Sequence, residues 1–168
     1  MEQLELFDAK VRRRRRRFKS PQEFKIVALR DCQVDDRQTV CDTPKRAVDY
    51  WRQHIETAAD FRPDQECFVV LLLNARLRIL GHHVVTLGLL DAVLVHPREV
   101  FRTAILARAA CVICMHNHPS DDVSPSTADI QATRELVRAS QIIRIVLNDH
   151  IIVGRSRHQS MRELGLIS

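Results

Sequence analysis

Glycine and proline are scarce in this 168-residue chain, at 4 and 6 residues, which excludes collagen-like and low-complexity organisation. Long apolar runs are also missing. The longest clean one, Cys67 to Leu73, is far short of the ~18–20 residues of a membrane span, so no membrane partner is expected. Nothing resembles a secretory apolar segment. Arg15-Arg16-Arg17-Phe18-Lys19 has the look of a twin-arginine signal, but Ser20-Pro21-Gln22-Glu23 follows it where an apolar stretch is needed. The five cysteines, at 32, 41, 67, 111 and 114, are odd in number, and together these features point to a reduced, cytoplasmic setting.

What is there is globular: 45% hydrophobic and 28% charged. The length fits one domain, able to bury a core without disulfides or structural metal. The net charge of +5 is unevenly placed. Residues 1–30 carry 10 Lys+Arg against 4 Asp+Glu, whereas residues 31–168 carry 16 against 17. The body is near neutral, and the basicity belongs to an arm over residues 1–20. Within it Arg12, Arg13, Arg14, Arg15, Arg16 and Arg17 form an unbroken block. Such a block is either a solvated tail or a contact for DNA or another polyanion. Residues 21–168 read as a single domain.

Residues 24–30 alternate as a first strand does. Thr43-Pro44 supplies an N-cap and a first-turn proline, and apolar spacing carries that helix to about Ala59. Glu66 to Leu73 reads as a strand buried on both faces, joined through Asn74-Ala75-Arg76 to a second strand, Leu77 to Leu87. His96-Pro97 opens a helix with Val100, Phe101, Ala104, Ile105 and Ala109 on its apolar face. Cys111 to Met115 is a strand running into His116. Ser126 starts a helix with Ile130, Thr133, Leu136, Val137 and Ser140 along one face. Ile142 to Asn148 and His150 to Val153 read as short strands, with Asp149-His150 between them, and Ser160 to Leu164 as a closing turn. The order β-α-β-β-α-β-α-β-β predicts an α/β (α+β) domain with a mixed sheet between helices.

The informative stretch is His116-Asn117-His118-Pro119, followed by Ser126 and Asp129. Histidines at i and i+2 leaving a strand point to the same side, and a proline-bearing loop can return Asp129 to the strand end. His, His and Asp make a three-ligand set, the catalytic type of zinc site, with water as the fourth ligand. Amide hydrolysis there needs a general base, and Glu66, opening the buried strand, is the candidate. Ser126-Thr127-Ala128-Asp129 is equally a capping box, in which Asp129 would only cap a helix. The string is not that of HNH nucleases, whose histidines are dispersed. The HxHxDH pattern fails because Ser120 occupies its aspartate position.

His116-x-His118, seven residues, then Ser126-x-x-Asp129 resembles the JAMM motif of JAB/MPN metalloproteases. The flanking segments Val95-His96-Pro97-Arg98-Glu99-Val100-Phe101, His116-Asn117-His118-Pro119-Ser120 and Asp149-His150-Ile151-Ile152-Val153-Gly154 are similar to those of the RadC-like branch. The likeness is strongest over residues 66–164. It implies a mixed β-sheet flanked by helices with the metal at a strand end. It further implies one Zn2+ per chain on His116, His118 and Asp129, Glu66 as general base, and Ser126 as an oxyanion stabiliser. Asp121 stands at the family's usual glycine, where a positive φ is expected and where a carboxylate would lie near the metal. Asn148 replaces a usual leucine at a position expected to pack. The helix-hairpin-helix region of full-length members is not recognisable.

Asp149 and His150 are either groups that orient a ligand or a plain turn between strands. His82 and His83 face opposite sides of a strand, so both cannot join one site. Cys111 and Cys114, three apart on a strand, also face opposite ways, and Cys114 shares the face of His116. The expected function is a zinc-dependent metallopeptidase acting on a peptide or isopeptide-linked protein. The alternative is a DNA-associated binding protein using the arginine arm, with the JAB domain as scaffold. Exposed sheet edges suit a homodimer.

Overall fold

The computed structural model describes residues 40–88 and 95–167. The expected strand at 24–30 and the arm with Arg12–Arg17 lie outside these described residues. The element order is α1 (Pro44–His54), β1 (Cys67–Leu73), β2 (Ile79–Leu87), α2 (Pro97–Leu106), β3 (Cys111–Asn117), α3 (Thr127–Ile143), β4 (Val146–Val153) and β5 (His158–Ser160). The strands form one mixed sheet in the order β2-β1-β3-β4-β5. β1 is antiparallel to both β2 and β3, β3 and β4 are parallel across α3, and β5 is antiparallel to β4. No helix among the described residues is long and apolar enough to cross a membrane.

The period-2 geometry of a strand explains the two cores. Phe68, Val70 and Leu72 of β1, with Val112 and Cys114 of β3, face Val100, Phe101 and Ala104 of α2 and Leu136 of α3. Val69, Leu71 and Leu73, with Ile113 and Met115, face Ala47, Val48, Tyr50 and Trp51 of α1. Helices thus cover both faces, and the central strands β1 and β3 are buried along their whole length. That is why Cys67–Leu73 shows no polar alternation. Full burial of each large apolar side chain here stabilises the fold by about 1.5–3 kcal/mol.

The helices begin where their caps dictate. The Thr43 side chain accepts from Arg46 N–H with Pro44 in the first turn, and His96 Nδ1 accepts from Arg98 N–H ahead of Pro97. Ends and late strands depart from expectation. α1 stops at His54, not near Ala59. The Glu56 N–H turns back to the Trp51 carbonyl, and Glu56 Oε1 accepts from Trp51 Nε1–H at 3.0 Å. Phe61 then packs edge-on against Trp51. α2 ends at Leu106, leaving Ile105 54% exposed, whereas Ala109 is buried beyond the helix. β2 starts at Ile79, because Leu77 adopts a positive φ in the turn.

The largest correction concerns residues 142–153. Ile142 and Ile143 end α3 instead of opening a strand, and Ile142 is 82% exposed. Arg144 takes a left-handed conformation (φ 63°) and bonds back to Ser140 O, closing the helix without a glycine. One strand then runs from Val146 to Val153, so Asp149-His150 is not a turn. A bulge opposite Val112/Ile113 lies just ahead of them. The last strand is instead His158–Ser160, and turns follow it. Asn148 does not pack as a leucine would; its Oδ1 accepts from Arg162 Nη1 at 2.7 Å.

Candidate metal centre

β3 carries His116 and His118 out of the sheet on the face covered by α2 and α3. His116 is paired in register with Phe68 of β1 and Ile152 of β4 and is buried. Its ring lies parallel to that of Phe68, with centroids 5.9 Å apart. His118 sits one step beyond the strand, half-buried. Its Nδ1 is 2.6 Å from the Asp122 carbonyl oxygen, which can only accept. Nδ1–H is therefore the donor there, and a neutral His118 presents a bare Nε2.

Asp129 arrives through the capping box of α3. Ser126 Oγ accepts from Asp129 N–H at 3.1 Å, while Asp129 Oδ2 accepts from Ser126 N–H at 2.8 Å and from its hydroxyl at 2.6 Å. That leaves Oδ1 directed at His116 Nε2, 3.1 Å away. One geometry thus caps α3 and aims the Asp129 carboxylate at the two histidines.

Three donor atoms converge as a result. His116 Nε2 and His118 Nε2 are 3.0 Å apart, and Asp129 Oδ2 is 3.5 Å from His118 Nε2. One ligand atom from each of the three residues lies within 4.8 Å of the others. A tetrahedral zinc with bonds of ~2.0–2.1 Å separates its ligands by ~3.3 Å, so the set fits a single ion. Two ring nitrogens at 3.0 Å repel unless a proton or a cation lies between them. The electrostatics agree. The hydrogen bond with Asp129 raises the proton affinity of His118 against the opposing effect of burial, and the charge of Glu66 adds to it. Burial disfavours ionising Asp129, yet bonds from His116 and His118 hold its carboxyl far below the usual range.

Glu66 precedes β1, partly buried, close enough for its charge to act on His118. Its position is set by Asn117, the residue between the two histidines, which the sequence reading passed over. Asn117 Oδ1 accepts from Cys67 N–H at 2.8 Å, and its Nδ2–H donates to Gln65 O at 2.9 Å. The buried amide therefore brackets Glu66 on both sides and ties its segment to the strand that carries His116.

His150 lies behind His116, fully buried, with Nε2 2.9 Å from His116 Nδ1 and Nδ1 2.7 Å from Thr133 Oγ1. Burial, then the neighbouring His116, pushes its pKa well down, so it is neutral. Thr133, expected only as part of a helix face, is the second residue missed. Its sole signal is its position four after Asp129, one helical turn on. Asp149 points elsewhere. Its carboxylate accepts from Ser160 Oγ–H, Arg162 N–H and the His150 N–H at 2.6, 3.1 and 2.7 Å.

The remaining candidates take structural places. Asp121 has φ 64°, as the family glycine implies, but its carboxylate does not join the site. Oδ1 accepts from Arg155 N–H at 2.5 Å. Gly154 permits this approach, since a Cβ there would lie 2.6 Å from that oxygen. His82 Nδ1 meets Tyr50 Oη at 2.9 Å, far from the donor set in the sheet order. Burial pushes the thiols of Cys41 and Cys67 up to about 12, and that of Cys114 higher, so these cysteines stay protonated.

Comparison with known proteins places this geometry. Residues 41–166 match the model of the RadC-like JAB domain. The chain is 42% identical to a UPF0758 protein of Thermosynechococcus vestitus over 128 residues, 76% of this chain and 49% of that protein. It is 47% identical to one of Bacillus cereus over 103 residues (61% and 46%), and 45% identical to one of Methanosarcina acetivorans over 103 residues (61% and 45%). It spans about half the length of the curated relatives it matches. With three quarters of its length in the family's domain and a His-His-Asp donor set at the end of the third strand, the chain belongs to the RadC-like JAB domain family.

Proposed function

We propose that this chain is a zinc-dependent metallopeptidase or isopeptidase that cleaves a peptide or an isopeptide-linked protein. The observation that carries this reading is the convergence of His116, His118 and Asp129 on one point, with the charge of Glu66 felt at His118. His116 Nε2, His118 Nε2 and an Asp129 oxygen would hold the ion. When bound, zinc supplies Lewis acidity that polarises an amide carbonyl and brings water toward a pKa of ~7.

This chain's residues supply the rest. Glu66 takes the proton of the attacking water and passes it to the leaving amine, a contribution of about 10²–10⁴-fold in rate. Asn117 holds Glu66 in place from both flanking peptides. Ser126 is exposed at the N-cap and turns its hydroxyl from Asp129 to the developing oxyanion. Phe68 stacks on the buried His116 and packs against the buried His150, which closes that side of the centre to water.

The test is elemental analysis of purified wild type and His118→Ala, followed by assay of Glu66→Gln on peptide and isopeptide-linked substrates. Near-stoichiometric zinc in the wild type, lost in His118→Ala, is expected. Glu66→Gln is expected to keep the zinc and lose hydrolysis. No zinc in the wild type, even after adding it, overturns the reading in favour of a scaffold.

The charge split supports a second function for the same chain: Arg12–Arg17 as a contact for DNA or another polyanion. Binding that weakens steeply with salt and vanishes on deleting residues 1–19 is the expected sign.

A further inference from the structure

The tautomer of His116 decides whether it can be a ligand, and the chain behind it has a defined end. His116 Nδ1 meets His150 Nε2 at 2.9 Å, His150 Nδ1 meets Thr133 Oγ1 at 2.7 Å, and Thr133 Oγ1 meets the Asp129 carbonyl oxygen at 2.7 Å. Each contact needs one proton, and each neutral imidazole carries one. The carbonyl oxygen has none to give.

One proton order follows from that end. Thr133 donates its hydroxyl proton to Asp129 O, a back-bond to the residue four before it that a helical threonine readily makes. Thr133 Oγ1 then accepts from His150 Nδ1–H. His150 Nε2 is bare and accepts from His116 Nδ1–H. His116 Nε2 is left as a lone pair, facing His118 Nε2 and Asp129 Oδ1. Every group is satisfied, and His116, His150 and Thr133 are all buried. The opposite order turns the Thr133 proton to His150 and ends with Nε2–H on His116, which closes that ligand position.

We propose that Thr133 is a positioning residue for the metal centre: its hydroxyl, anchored on the Asp129 carbonyl, selects through His150 the His116 tautomer that binds metal. The same residue, Asp129, supplies a metal oxygen by its side chain and the anchor of the proton chain by its backbone. One turn of α3 therefore sets two of the three donors. The inference rests on the metallopeptidase reading for the identity of the ligands.

Thr133→Val keeps the branched shape and removes the hydroxyl, and Thr133→Ser restores it. Zinc affinity would be measured by chelator competition for wild type and both variants, with thermal unfolding of the metal-free proteins alongside. Ring nitrogen tautomers would be read by long-range 1H–15N correlation on the zinc-loaded proteins. Wild type should carry Nδ1–H on both His116 and His150. Thr133→Val should lose zinc affinity by about 10–100-fold, the range for groups that orient a ligand. Thr133→Ser should stay close to wild type in affinity and tautomer. Equal zinc affinity in wild type and Thr133→Val overturns the inference. So does a loss in Thr133→Ser as large as in Thr133→Val, or a wild-type His150 protonated at Nε2. A wild type that takes up no zinc fails at the earlier step and overturns the metallopeptidase reading with it. A Thr133→Val that unfolds when metal-free is replaced by Thr133→Ala, judged by the same tautomer signature.

Discussion

Asp149 and His150 are neighbours on β4, yet they belong to polar clusters of opposite kind. The Asp149 carboxylate is closed on itself, with three donors filling it from Ser160, Arg162 and its own neighbour. It ties the middle of β4 to the end of β5 and the turn after it, and the carboxylate's acceptors are filled. Across the sheet, His150 backs a group in which two ring nitrogens and a carboxylate face one another at 3.0–3.5 Å. That arrangement gathers lone pairs in one place and needs a cation or a shared proton to hold. A buried polar cluster with its acceptors filled by neighbouring donors is architecture; one with lone pairs converging is a site.

Two substitutions should break this contrast in opposite directions. Asp149→Ala strands three donors in the interior and should cost about 3 kcal/mol in denaturant unfolding, with zinc still bound near one per chain. Burial raises the Asp149 pKa despite the bonds from Ser160 and Arg162, so the carboxylate is held at some expense and its loss is not larger. His118→Ala should lose the zinc and lower metal-free stability by no more than ~1 kcal/mol, because what it removes from the metal-free protein is one partly buried pair with Asp129. A folded Asp149→Ala without zinc would show that the two clusters are one.

Asn117 lies at the seam between architecture and site, and its effect should be smaller. Asn117→Ala leaves Cys67 N–H and Gln65 O without their partner, for an expected loss of about 2 kcal/mol. At a temperature where the variant is folded, kcat should fall more than zinc affinity, because the bracket acts on Glu66 and not on the ligands. Equal falls in both would place Asn117 with the ligands.

Much of the fold was legible because local chemistry dictated it. Thr43-Pro44 and His96-Pro97 mark helix starts by caps that work within one turn. Cys67–Leu73 is apolar throughout because both sheet faces are covered. The HxH pair and the capping box were readable from spacing, and the cap of α3 and the approach of Asp129 to the two histidines turn out to be one arrangement. What was not legible depends on tertiary partners. Ile142 and Ile143 have strand-like chemistry, but α3 continues through them until Arg144 takes a left-handed turn with no glycine to announce it. α1 ends early because Trp51 finds Glu56 and Phe61. Thr133 looked like one more residue on a helix face, since nothing local says that a histidine seventeen residues later will reach it.

Acidity should sharpen the comparison by a smaller amount still. In metal-free protein His118 binds its proton more tightly folded than unfolded, through Asp129, so its contribution is full below pH ~6.5 and fades as pH rises through the higher folded value. Asp129 has the opposite sign. Its depressed pKa gives a contribution present above pH ~3.9 and lost as pH falls further. The stability gap between wild type and His118→Ala should therefore peak between about pH 4 and 6.5, at no more than ~1 kcal/mol, and narrow above it. A gap that widens from pH 7 to 9 would mean that the pair is not formed.

The smallest effect belongs to Asp121, where the chain departs from its family's glycine. Glycine there would relieve the cost of a left-handed aspartate, but it would loosen the unfolded chain and remove the acceptor for Arg155 N–H. The lost bond, about 1 kcal/mol, and the added chain entropy outweigh the relief. Asp121→Gly should thus destabilise by about 0.5–1 kcal/mol, and Asp121→Asn, which keeps an acceptor oxygen and tolerates the same backbone, by less. Neither should change zinc affinity, because the carboxylate is turned to the backbone after β4 and away from the three donors. A measurable shift in zinc affinity in Asp121→Gly would move this residue from architecture into the site.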